Sequence, residues 1–103
     1  MKNTTATKEA KELYAALKKK GIKCILEYYD GKKHVDICIP EAKIYIEVEG
    51  LQHFTNPRQI IADLKRDYYS GRENIFTFRV TNQLIQTHLE EIADAIAEVI
   101  KKA

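Results

Sequence analysis

The chain is poor in several things that would narrow its class at once. It has only two cysteines, Cys24 and Cys38. They are far apart, show no Cys-x-x-Cys spacing, and each falls in an apolar stretch. That argues against a disulfide framework and against a zinc site, and leaves reduced core thiols as the reading. No run approaches the ~18 apolar residues that a membrane span needs. Met1 to Thr7 is polar, with no apolar segment of the signal-peptide kind. An intracellular, cytoplasmic protein with no membrane attachment is expected. There is no internal repeat, low-complexity segment or linker. With 103 residues the chain is read as one domain.

What is present is a modest core and a balanced surface. Hydrophobic residues make up 45%, charged residues 31%, and the formal net charge is +2. That balance neither demands nor excludes nucleic acid; a local basic patch matters more than the total.

Periodicity predicts the order αβββαβα. Thr7 to Lys20 reads as a helix with Ala10, Leu13, Tyr14 and Leu17 on one stripe and Gly21 as its stop. Ile22 to Tyr29 reads as a strand, Asp30-Gly31 as a hairpin turn, and Lys33 to Ile39 as the next strand. Pro40 to Lys43 makes a short turn before a third strand, Ile44 to Glu49. Residues 50–57 read as irregular. Arg58 to Ser70 is a second helix, Ile75 to Val80 a fourth strand, and Thr87-His88-Leu89-Glu90 a capping box opening the last helix. Residues 81–86 suit a separate short turn of helix. Tight turns make the first three strands antiparallel neighbours. The helix between the third and fourth makes that pair parallel. The fold class is therefore α/β, a mixed four-stranded sheet, with helices expected on both faces.

The stretch YIEVEGLQHF, Tyr45 to Phe54, stands out. Ile44, Ile46 and Val48 alternate with Tyr45, Glu47 and Glu49, so two carboxylates share one face. A loop from Pro40 to Lys43 pairs Ile39 with Ile44 and Ile37 with Ile46, which puts Asp36 opposite Glu47. Like charges directly opposite cost stability. Either the face is open to water and the acids decorate it, or a cation neutralises them. A hard divalent ion held by oxygen ligands, Mg²⁺ or Mn²⁺, suits such a set and serves phosphoryl chemistry.

The string VDICIPEAKIYIEVEGLQHF, Val35 to Phe54, resembles the pattern VD…P…IExDGxQH. That pattern belongs to small proteins grouped with the very-short-patch-repair endonucleases, in the PD-(D/E)XK nuclease superfamily. Asp63, Arg66 and Asp67 on the second helix and FTFRVTN, Phe76 to Asn82, extend the resemblance over nearly the whole chain. It implies a restriction-endonuclease-like core and metal-dependent hydrolysis of DNA phosphodiesters. By the resemblance Asp36 and Glu47 are metal ligands, with the carbonyl of Val48 as a third. Glu49 stands where the superfamily has a lysine, so it cannot act as a cation on phosphate; binding a second metal or orienting a water remain for it. His53 becomes the candidate general acid or base, and Gln52 the residue that orients a phosphate or water. A first-helix glutamate would be Glu9 or Glu12, but neither sits at the family's spacing from Leu13-Tyr14.

Lys33, Arg66 and Arg79 are candidate contacts to a DNA backbone. Lys18 to Lys20, with Lys23, and the pairs Lys32-Lys33 and Lys65-Arg66 are basic clusters that are also ordinary surface. A homodimer or a separate specificity partner is the expected companion. The missing lysine keeps a second reading open: a weak or inactive nuclease-fold module that binds nucleic acid or a protein. A third is an unrelated α/β protein with a structural acid cluster.

Overall fold

The structure, a computed structural model, describes residues 6–50, 58, 59, 61, 62, 65 and 75–102. Helix α1 spans Lys8–Lys19, close to the expected span. Its start is set by Thr7, whose hydroxyl accepts from the Ala10 N–H at 3.1 Å. Its end is a glycine stop: Gly21 takes φ +83°, and the Ile22 and Gly21 N–H groups donate back to the Leu17 and Lys18 carbonyls. Leaving the helix consumes residues 22–24, so strand β1 is Ile25–Tyr29, shorter than the sequence suggests.

Asp30 closes the hairpin into β2, His34–Ile39, by accepting the N–H groups of Lys32 and Lys33, both at 2.8 Å. Pro40–Ala42 forms a single 3-10 turn, Lys43 adopts φ +56°, and β3 follows over Ile44–Glu49, as the alternation predicts. Strand β4 is Phe76–Thr81. The sheet runs β1-β2-β3-β4. The first two pairings are antiparallel and β3 with β4 is parallel. The register pairs Ile39 with Ile44 and Ile37 with Ile46, as the turn length requires.

Helix α2, Asn82–Lys102, is two helical pieces joined at His88, whose φ −138° and ψ 38° are not helical. The separate helical turn before residue 87 is therefore present. The expected capping box is not what starts the second piece. Thr87 instead donates its hydroxyl backward to the Gln83 carbonyl at 2.9 Å, while Thr81 caps the first piece through the Leu84 N–H. Within the expected second helix, Arg58, Gln59, Ile61, Ala62 and Lys65 are helical; its other residues lie outside those described.

One core joins Leu13 and Leu17 of α1, Ile92, Ile96 and Val99 of α2, and Ile37, Ile39, Ile44, Ile46, Phe78 and Val80 of the sheet. Ile61 packs against it too, and Lys65 reaches Glu98 of α2 at 2.7 Å. The described helical residues thus share one face of the sheet, where helices on both faces were expected. The face that carries Asp36, Glu47 and Glu49 has none of them over it. Among the described residues no helix is long and apolar enough to cross a membrane.

Candidate functional site

The acid face is built where the sheet loses its regularity. Extending the β2–β3 register by one step would set Asp36 opposite Glu47. The ladder instead stops at Ile37 with Ile46, although β3 continues to Glu49. The N–H of Val48, which a continued ladder would direct at Val35, donates to Asp36 Oδ2 at 2.7 Å. On the other side, β1 pairs Leu26 with Ile37 and Tyr28 with Val35 and skips the residue between. That residue, Glu27, has φ +56°, a left-handed conformation costing a non-glycine residue about 1 kcal/mol or more. Its carboxylate accepts from the Ala6 N–H at 2.8 Å. Asp36 therefore sits, half-buried, where pairing is interrupted towards both neighbouring strands. Its carboxylate does the work of a ladder carbonyl.

Glu47 does not face Asp36 as a lone like charge. The parallel register sets Arg79 directly beside it. Arg79 alternates with the buried Phe78 and Val80, so its guanidinium lies on the acid face. Arg79 Nε is 3.6 Å from Glu47 Oε1 and 3.5 Å from Glu49 Oε2. Lys33 Nζ approaches the other oxygen of Glu47 at 3.2 Å and stands 5.9 Å from the centre of the Tyr45 ring. Glu47 is the least exposed of these side chains at 24%, against 44% for Glu49, 47% for Lys33 and 58% for Arg79.

The hairpin holds Lys33 in place. Tyr45 donates its hydroxyl to Asp30 Oδ2 at 3.0 Å, and its ring lies against Tyr28 at 6.1 Å between centroids. Loss of water around the phenol, and then the Asp30 carboxylate, push the Tyr45 hydroxyl up to about 12. The backbone N–H groups of Lys33 and Lys32 hold the Asp30 carboxyl below its ordinary range.

The expected convergence of three carboxylates is not formed. Among the described residues, no three His, Cys, Asp or Glu side chains come together tightly enough to hold a metal ion. The smaller set of Asp36, Glu47 and the Val48 carbonyl remains, and its chemistry fits the implied metal. All its donors are hard oxygens, and Mg²⁺ takes one or two carboxylates with water completing its shell. In a strand the carbonyl leaves on the same side as the N–H of its own residue. The Val48 carbonyl is therefore directed to the side where Asp36 lies. Gln52, His53 and Arg66 lie outside the described residues.

Asn82 is a residue that the sequence marked only as the end of a strand string. Its Oδ1 is buried and has no hydrogen-bond partner among the described residues, and its Nδ2 lies 3.7 Å from where a β-carbon on Gly50 would be. A buried side-chain carbonyl beside the end of β3 had no signal in the pattern of apolar residues. Glu9 accepts from Gln86 of α2 at 2.5 Å, which lowers its carboxyl and ties it away from the sheet. Lys20 is held by Asp94 and Glu90, so the basic cluster ending α1 is partly spent on α2. His34 lies exposed against the Tyr29 ring, and His88 against Thr87 and Glu91.

The arrangement defines a small α/β protein with a four-stranded mixed sheet and a charged network on one sheet face. No protein-family model matches the chain, and no curated protein or solved structure does either.

Proposed function

We propose that the chain is a metal-dependent endonuclease that hydrolyses DNA phosphodiester bonds, with a restriction-endonuclease-like core of the very-short-patch-repair kind. The observation that carries this reading is the interruption of the sheet at Asp36. The strand order and directions suit that core, and pairing fails where the motif's two acids stand. Asp36, Glu47 and the Val48 carbonyl would hold Mg²⁺ or Mn²⁺. When bound, the ion supplies a polarised phosphate and a water of lowered pKa.

The chain's own residues supply the rest. The Val48 N–H fixes the rotamer of Asp36, so that one ligand is positioned in advance. Glu49 is the carboxylate that orients a water, since it cannot stabilise phosphate charge. His53, four residues further on, is the group whose ordinary pKa lies near neutrality and which can move the proton; Gln52 orients the phosphate or water. Lys33, Arg66 and Arg79 are the contacts to the DNA backbone, and binding through them falls with salt. A second copy or a separate partner supplies sequence specificity. The buried free thiols of Cys24 and Cys38 suit a reducing cytoplasm.

One observation favours a second reading, a nuclease-fold module that binds nucleic acid or protein without cutting. Both oxygens of Glu47 already have cations from the chain itself beside them. Cleavage of supercoiled plasmid and labelled single-stranded, duplex and branched oligonucleotides, with Mg²⁺ or Mn²⁺ against EDTA, separates the two. Metal-dependent cutting that Asp36→Asn abolishes in a folded protein is the expected result. DNA binding without cutting under any of these conditions replaces it with the second reading.

A further inference from the structure

We propose that Arg79 is a resident counter-ion of the acid face, which a divalent cation must displace before Glu47 can hold it. The inference rests on the metal reading above and deepens it by naming the residue that sets the affinity.

Three features of the geometry carry it. Arg79 Nε lies between two carboxylates, 3.6 Å from Glu47 and 3.5 Å from Glu49, so one guanidinium offsets both charges. Register fixes this position: Glu47 faces Arg79 and Glu49 faces Thr81 on the parallel neighbour, and the buried Phe78 and Val80 anchor β4 on either side of Arg79. Finally, the guanidinium is detachable. The Arg79 side chain is 58% exposed and can rotate into water while its backbone stays in the ladder. Exposed ion pairs are weak, so a metal ion of higher charge can replace this one. Lys33, at 47% exposure, restrains Glu47 in the same way from the hairpin side.

Removing Arg79 should therefore strengthen metal binding. Two pairs to this exposed guanidinium predict an affinity gain of about three- to tenfold. The test is Mn²⁺ binding, followed by titration calorimetry and by the paramagnetic resonance of the free ion, in wild type, Arg79→Gln and Lys23→Gln. Lys23, exposed and outside the ion pairs of Glu47 and Glu49, reports the effect of net charge alone. Circular dichroism confirms that each variant is folded.

The expected result is tighter binding by Arg79→Gln, with Lys23→Gln unchanged. Binding by Arg79→Gln with none by wild type would support the inference further, as a stronger block. Equal or weaker binding by Arg79→Gln, with wild type binding, overturns the inference and leaves the metal reading standing. Equal gains in both variants also overturn it, because net charge would then explain the change. Absence of Mn²⁺ binding in wild type and Arg79→Gln alike removes both the inference and the metal site beneath it.

Discussion

Replacing Asp36 tests whether the interrupted ladder exists in solution. In Asp36→Ala the Val48 N–H loses its acceptor, now 2.7 Å away. A hydrogen bond to an ionised acceptor contributes about 1.5–3 kcal/mol. Two effects reduce the loss. The position is only half-buried, so water can take over part of the bond. Removing one carboxylate from the neighbourhood of Glu47 also relieves repulsion, by roughly 0.5 kcal/mol. The net expectation is a destabilisation of about 1–2 kcal/mol, or about 5–10 °C in Tm for a domain of this size. Asp36→Asn keeps an acceptor oxygen and loses the charge, so its loss should be about half as large. Urea unfolding followed by circular dichroism, with an unchanged m-value, reads both. Asp36→Ala as stable as wild type would mean that the carboxylate does not hold the Val48 amide. A more stable Asp36→Ala would mean that charge repulsion dominates and the site stores strain.

Two further outcomes follow from the same geometry. Glu47→Gln removes ion pairs to two exposed cations, so stability should change by no more than about 1 kcal/mol and the difference should shrink in salt; Mn²⁺ binding and any cleavage should fall at least about tenfold, and a variant that keeps both would remove Glu47 from the site. Tyr45→Phe tests the hairpin support. The Tyr45 hydroxyl is raised from 10.0 to about 12 in the folded state, so the stability it contributes is full below its unfolded pKa and is lost as pH climbs towards 12. The stability gap between wild type and Tyr45→Phe should accordingly close over that interval, and the near-ultraviolet titration of wild type should show one late phenolate that the variant lacks. A constant gap would mean that neither the loss of water around the phenol nor its bond to Asp30 holds in solution.

Much of this protein follows from its sequence because its signals are local. Alternation from Ile44 to Glu49 placed β3 to the residue, and the short turn at Pro40 fixed its register with β2. Gly21 stopped α1, and the helical pattern between the third and fourth strands required the parallel pairing. The same alternation put Asp36, Glu47 and Glu49 on one face. Tertiary structure decided what surrounds them. Arg79 reaches Glu47 and Glu49 only because the parallel register slides β4 into place beside β3, and no periodicity within either segment encodes that alignment. Lys33 arrives through a hairpin held by Asp30 and Tyr45. The ladder ends at Ile37 because Glu27 turns left-handed and Asp36 takes a backbone donor, a contest among three strands that pairwise propensity does not contain. Sequence can thus say which charges share a face. Whether a neighbouring strand answers them with cations depends on which residues the fold sets side by side, because Coulomb attraction acts over a few ångströms of space and not along the chain.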